Sequence, residues 1–141
     1  MTARSRRRGD ELIAERHLDA TPERVWTAFT TATGIAAFWG GSHAVVPPES
    51  VTVDLRPGGS FALDTLGGRR LRFVYVGIDP PRELVFDEPV TGLRTTVSLR
   101  RSPSGTHLTV HQRKLPPELQ TAQAADGLAS ILDALADYLE K

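Results

Sequence analysis

The sequence predicts an α+β protein in which an antiparallel sheet of about seven strands curves around one long C-terminal helix, with two short helices after the first strand. One observation is the alternation of apolar and polar residues in segments 93–100 and 106–113, which is typical of half-buried strands. A second is an apolar stripe with i, i+3, i+4, i+7 spacing, typical of a helix that buries one face. The stripe contains Leu128, Ile131, Leu132, Leu135 and Leu139.

The first strand is predicted at residues 11–20 and is followed directly by a helix start signal. Thr21 is suited to cap that helix, and Pro22 is suited to its first position. Glu23 would lie near the positive end of the helix dipole. This first helix is expected to end near Thr30.

A second, shorter helix is predicted next. Thr33 is suited to cap it, and its last residues are expected to be Phe38 and Trp39. The glycine pair at positions 40 and 41 then stops the helix.

The middle of the chain is predicted to form six further antiparallel strands separated by turns that contain Pro or Gly. In the first of them, Val51, Val53 and Leu55 are expected to share one face. The proline pair at 116 and 117 ends the sheet, and the last helix is expected from about Pro117 to Leu139. The six strand segments are 51–56, 60–66, 69–78, 82–88, 92–101 and 106–114.

Length and charge suggest one domain without a strongly basic surface. With 141 residues, we expect a single domain over residues 11–141 and a flexible basic tail over residues 1–10, where four arginines cluster. Because 17 basic residues balance 17 acidic ones, no nucleic-acid partner is expected. The chain has no Cys and no long apolar segment, so we expect a soluble cytoplasmic protein without a membrane partner.

Six short motifs, in order, resemble those of one protein family. They are "a-x-P-e-x-V-W" at residues 20–26, the aromatic pair Phe38-Trp39, "D-x-r-x-G-G-x-f" at 54–61, "i-x-P-P-x-r-L-v" at 78–85, the segment 105–109, and "L-D-x-L-x-x-Y-L" at 132–139. Across residues 11–140 the chain is similar to the family related to the C-terminal domain of the activator of the heat-shock-protein-90 ATPase (AHSA1-like), in the SRPBCC/START/Bet v 1-like superfamily. The resemblance implies a helix-grip fold.

The sequence departs from the family pattern in two respects. The co-chaperone that names the family has a separate N-terminal domain, for which this chain has no room, so no chaperone partner is expected. The family's last helix often carries Gly-Trp, and here the pair is Gly127-Leu128. If position 128 lines a cavity, we expect that cavity to be wider there.

The resemblance implies a cavity between the sheet and the last helix, and helix-grip proteins commonly hold apolar ligands in such a cavity. Tyr75 is the expected polar group inside, because a buried hydroxyl needs a partner. We therefore predict a site for a small hydrophobic molecule, with no cofactor. The predicted ligand-binding residues are Phe38, Trp39, Phe61, Leu63, Phe73, Tyr75, Phe86, Val97, Leu99, Leu128, Ile131 and Leu132.

Two other functions stay open, and binding without catalysis is preferred to both. One is an enzyme of the polyketide cyclase/dehydratase or hydrolase type, for which Tyr75 and His43 are the candidate titratable groups; no catalytic residue is assigned. The other is a co-chaperone-like interaction module, which would present an exposed apolar patch. A homodimer is also left open.

No metal site is predicted. His107 and His111 are four residues apart, which on a strand is about 13 Å and too far for one ion.

Overall fold

The computed structural model describes residues 3–41, 45–65, 68 and 70–140, and in these residues eight strands form one antiparallel sheet. The strands are β1 Arg4–Arg8, β2 Glu11–Leu18, β3 Thr52–Val53, β4 Ser60–Asp64, β5 Arg70–Asp79, β6 Glu83–Asp87, β7 Arg94–Ser102 and β8 Gly105–Arg113. The helices are α1 Pro22–Thr30, α2 Ala32–Phe38 and α3 Ala122–Leu139, with 3-10 turns at Pro48–Ser50 and Pro117–Leu119. The sheet order is β1-β2-β8-β7-β6-β5-β4-β3. This arrangement confirms the helix-grip fold class.

Helix α3 packs on β1, β2 and α2 through the predicted apolar stripe. Leu128, Leu132, Leu135 and Leu139 are buried, and Ile131 is half-buried. Burying a leucine side chain contributes roughly 1.5–3 kcal/mol, so this face holds the helix on the sheet. Within the described ranges, no helix combines the length and apolar character needed to cross a membrane.

The N-terminal arginines lie in an edge strand, which corrects the flexible tail expected from the sequence. Strand β1 pairs with β2, with Arg4 opposite Glu15 and Arg8 opposite Glu11. The chain reverses at Gly9, whose φ of +61° is readily adopted by glycine. The four arginine side chains remain exposed, so their charge does not prevent the backbone from pairing.

Two helices begin at residues other than those predicted. Thr31, not Thr33, caps α2, because Thr31 is extended and its Oγ1 accepts a hydrogen bond from the Gly34 N–H at 3.2 Å. Helix α3 begins at Ala122 rather than near Pro117, because Thr121 is extended and its Oγ1 accepts from the Ala124 N–H at 3.1 Å. A polar side chain that satisfies a free N–H therefore sets each start.

Strand β3 is much shorter than the predicted strand 51–56. The chain leaves the sheet at Asp54, whose N–H donates to the Ser60 carbonyl at 2.8 Å to close a turn. Gly58, with φ of +81°, lies in that turn. Val51 is buried but Leu55 is exposed, because the turn takes Leu55 off the inner face.

Candidate ligand cavity

A cluster of aromatic rings fills the space between α2 and strands β4, β5 and β6. Trp39 follows the last residue of α2, and its ring centroid lies 5.3 Å from that of Phe73 and 5.5 Å from that of Phe61. Phe61 and Phe73 are cross-strand partners and stack at 4.9 Å. Phe86 meets Phe61 edge-on at 5.0 Å. These offset and edge-on contacts are the geometries that aromatic rings prefer.

Beside this cluster, a cavity of about 50 Å³ lies between α3 and strands β6, β7 and β8. Helix α3 forms its roof, and the ends of α1 and α2 close one side. The lining residues are Phe29, Phe38, Trp39, Phe86, Thr95, Val97, Val110, Gln112, Leu128, Ile131 and Leu132. None of these described lining residues carries a charge.

One polar pair faces the cavity. Thr95 and Gln112 are direct cross-strand partners on β7 and β8. The Gln112 Nε2 donates to the Thr95 Oγ1 at 3.3 Å. Thr95 is buried, whereas Gln112 is half-buried. The other described lining residues are aromatic or aliphatic.

A surface groove of about 240 Å³ lies next to the cavity, beneath the first half of α3. Gln112, Leu128 and Ile131 line both spaces, so these side chains form the partition between them. Gly127 also lines the groove, and outside its chain neighbours and the nearby backbone of α3 a Cβ at this position would have no described atom within 4 Å. The groove is completed by Leu12, Leu93, Leu115, Leu119 and Ala124.

Comparison with known protein families identifies the family to which this fold belongs. Residues 19–140 match the family described as Activator of Hsp90 ATPase homolog 1-like protein. The chain belongs to this family. Among curated protein sequences, none matches the chain.

Solved structures agree with this assignment at the level of the fold. Protein CV1439 from Chromobacterium violaceum is 23% identical, with a TM-score of 0.83 over 94% of this chain and 99% of that one. An AHSA1-like protein from Aeromonas hydrophila is 24% identical, with a TM-score of 0.77 over 92% of each chain. CalU16 from Micromonospora echinospora is 22% identical, with a TM-score of 0.71 over 97% of this chain and 83% of that one.

The twelve predicted site residues divide into two groups in this member of the Hsp90-activator-like family. Those that line the cavity are Phe38, Trp39, Phe86, Val97, Leu128, Ile131 and Leu132. Those that are buried in the core without lining it are Phe61, Leu63, Phe73, Tyr75 and Leu99. Ligand contact at any of them remains a prediction.

Four lining residues were missing from the predicted site. Alternation along β7 and β8 already places Thr95 and Val110 on the inner face, and Gln112 follows Val110 by two positions. Thr95 and Gln112 were missed because the predicted site consisted mainly of apolar side chains. Phe29 lies on α1, and only the packing of α1 against α2 brings it to the cavity.

Tyr75 is buried but does not line the cavity. Its side chain is 1% exposed, and its hydroxyl has no hydrogen-bond partner in the described structure. Burial raises the pKa of Tyr75 above its ordinary value, and the negative charge of Asp54 adds to the shift. The hydroxyl is therefore held neutral. The second candidate for acid–base chemistry, His43, lies outside the described residues.

The histidines of β2 and β8 lie on the outer face of the sheet. His17 Nε2 is 3.1 Å from Asp19 Oδ1 and 3.2 Å from Ser104 Oγ. A serine–histidine–aspartate relay uses both ring nitrogens, whereas both contacts here converge on one. His111 Nε2 lies 2.6 Å from Glu11 Oε1. Among the described residues, no group of three His, Cys, Asp or Glu is placed to hold a metal ion.

Two depressions on the surface are larger in volume than the cavity and are lined in part by charged side chains. One, of about 450 Å³, lies between α1 and the end of α3, where Arg24 donates to the Leu139 carbonyl at 2.7 Å. The other, of about 550 Å³, contains Arg70, Arg72 and Glu88. Both differ from the cavity under α3, whose described lining is uncharged.

Proposed function

We propose that this protein binds a small hydrophobic molecule between α3 and the sheet, without catalysing a reaction. The observation that carries the proposal is the apolar cavity beneath α3, which is bounded by four aromatic side chains and separated from an apolar groove by a partition of three side chains. Proteins of this fold commonly hold apolar ligands between the sheet and the helix. The absence of Cys fits our further proposal that the protein acts in the cytoplasm.

Burial of ligand surface supplies the driving force. Each Å² of apolar surface removed from water contributes about 25 cal/mol, and aromatic and aliphatic side chains form most of the cavity wall. Ligand pockets are mostly apolar with a few placed polar groups. The pair Thr95–Gln112 provides those groups here.

The cavity must widen to accept a ligand. Its volume of about 50 Å³ is smaller than the ~150 Å³ of a protein cavity that binds benzene. Movement of Leu128 and Ile131 would join it to the groove. The groove alone is about 240 Å³, so the two spaces, once joined, approach the lower end of the range for small-molecule pockets. Ile131 is half-buried, which leaves its side chain room to move outward.

The test is binding of a neutral apolar fluorophore, N-phenyl-1-naphthylamine, to the wild type and to Leu128→Trp. The indole should occupy the cavity and block the partition. We expect saturable fluorescence enhancement with the wild type and at least tenfold weaker binding by the variant. Val90→Trp is the matched control, because Val90 is 91% exposed and the same substitution there leaves the cavity unchanged.

A second variant keeps the test decisive if Leu128→Trp does not fold. Overpacking a core costs typically 1–3 kcal/mol, so circular dichroism should accompany each titration. Ile131→Phe adds less volume at the same partition and should also weaken binding. Absence of saturable binding by the wild type, or unchanged binding by both folded variants, would overturn the proposed function.

Mass spectrometry of the purified protein tests for a natural ligand. Spectra taken first under native and then under denaturing conditions should show an added mass that is lost on denaturation. That mass begins the identification of the ligand. A bare mass together with no fluorophore binding would contradict the proposal.

A further inference from the structure

We infer that the ligand is an uncharged, mostly apolar molecule with one hydrogen-bonding group, and that Gln112 and Thr95 recognise this group at the passage from groove to cavity. The inference rests on the proposed function and adds the chemical class of the ligand. Alcohols, ketones and amides on a ring or hydrocarbon skeleton belong to this class.

The position of Gln112 supports this role. It lines both the cavity and the groove, so a molecule that crosses the partition passes its carboxamide. Gln112 lies on strand β8, and Leu128 and Ile131 of α3 complete the partition with it. Because its backbone lies within a paired strand, Gln112 is better fixed than a loop residue would be.

The pair retains unused hydrogen-bonding capacity. The Gln112 Nε2 donates to the Thr95 Oγ1 at 3.3 Å, a long contact. The Gln112 Oε1 accepts no hydrogen bond from any described residue, and the Thr95 hydroxyl donates to none. A carboxamide has two donors and an acceptor, and a hydroxyl has one donor. The pair can therefore both donate to and accept from a ligand.

The charge of the lining excludes an ionic ligand group. The described residues around the cavity include no Lys, Arg, Asp or Glu. A buried ion without a partner is strongly disfavoured, whereas a hydroxyl or carbonyl needs only one hydrogen bond. The structure thus separates neutral ligands from carboxylates of the same size and shape.

Three naphthalenes substituted at the same ring position test the inference by isothermal titration calorimetry at neutral pH. They are 2-naphthol, 2-methylnaphthalene and 2-naphthoate. We expect 2-naphthol to bind wild type, and 2-naphthoate to bind at least tenfold more weakly. Gln112→Leu should weaken 2-naphthol binding about fivefold, the usual net value of one neutral hydrogen bond. The same variant should leave 2-methylnaphthalene within about twofold or bind it more tightly.

Two further variants complete the design. Thr95→Val keeps the shape of the side chain and removes the hydroxyl, so it should also weaken 2-naphthol selectively. Gln123→Leu is the matched control, because Gln123 is exposed on α3 and should change neither affinity.

The outcomes separate this inference from the proposed function. If no naphthalene binds the wild type, both are overturned. If 2-naphthol and 2-methylnaphthalene bind but Gln112→Leu and Thr95→Val change their affinities equally or not at all, only the inference is overturned. Binding of 2-naphthoate as tight as that of 2-naphthol would also overturn it.

Discussion

Arg16 on β2 and Asp133 on α3 form an ion pair beneath the C-terminal helix, with 3.0 Å between Nε and Oδ1, although the buried Nε–H is not aligned for a hydrogen bond. The same Oδ1 accepts a hydrogen bond from the Ala3 N–H at 2.8 Å. The Arg16 side chain is 12% exposed, and its NH1 donates to the His17 carbonyl at 3.1 Å. One carboxylate thus connects α3 to β2 and to the residue that precedes β1.

Replacing Asp133 should destabilise the protein more than replacing a neighbouring acidic residue. Asp133→Ala leaves the mostly buried Arg16 charge without its partner, and we expect a loss of about 2 kcal/mol, below the full cost for a fully buried pair because Asp133 is partly exposed. Urea unfolding at pH 7 measures the loss. Asp137→Ala is the control, because Asp137 is exposed on the same helix.

Removing both charges tests the reason for that loss. In Arg16→Met/Asp133→Ala, no unpaired charge remains, so the double variant should be more stable than Asp133→Ala alone. Equal stability of the two would show that the loss comes from the Ala3 hydrogen bond or from packing.

Gly127→Ala should stabilise the protein by roughly 0.5–1 kcal/mol, because alanine in a helix interior is favoured over glycine by about that amount. Outside its chain neighbours and the nearby backbone of α3, its new Cβ would meet no described atom within 4 Å. Thermal unfolding measures the gain. Gly34→Ala is the contrasting variant, because a Cβ there would overlap the Ala28 backbone, and it should lower the melting temperature.

Tyr75→Phe should stabilise the protein by ~1 kcal/mol at pH 7, because the buried hydroxyl has no described partner and its desolvation is unfavourable. The difference in stability between Tyr75→Phe and the wild type should widen above about pH 10, where the tyrosine ionises in the unfolded chain. Burial raises the pKa of Tyr75 in the folded state, so ionisation of this tyrosine favours the unfolded chain. The wild type therefore loses stability through this group as the pH rises above about 10. Denaturant titrations from pH 7 to 11 measure both effects, and a gap that is constant with pH would refute the second.

Asp87 should contribute stability that disappears in acid. Arg94 lies opposite on β7 and donates to both oxygens of Asp87, at 2.8 and 2.9 Å. These hydrogen bonds lower the pKa of Asp87. The stability that Asp87 contributes is therefore present above the pKa of about 3.9 that it has in the unfolded chain. This stability is lost as the pH falls through the lower pKa of the folded state.

Asp87→Asn tests this contribution. The variant should show a flatter decline of stability below pH 4 and lose about 0.5 kcal/mol at pH 7, a small effect because both side chains are partly exposed. Arg94→Gln should flatten the same part of the curve. An unchanged acid slope in both variants would contradict the assignment.

Local patterns in the sequence were enough to determine most of the elements and their faces, but not strand β1 or the short length of β3. The inner faces of β7 and β8 follow from alternation, and Thr21 caps α1 as its hydroxyl chemistry predicts. These features depend on backbone periodicity and on the nearest N–H groups, which are encoded within a few residues. The apolar stripe and the family resemblance then placed α3 against the sheet, and the structure agrees.

Only the tertiary structure decided which residues meet across elements. The pairing of β1 with β2, the ion pair of Arg16 with Asp133 and the contact of Gln112 with Thr95 each join positions on different elements. The size of the cavity is likewise set by how the aromatic side chains of α2 and β4–β6 fill the interior. Strand register and side-chain packing are properties of the assembled fold, and a small cavity is the space that remains after every side chain has been placed.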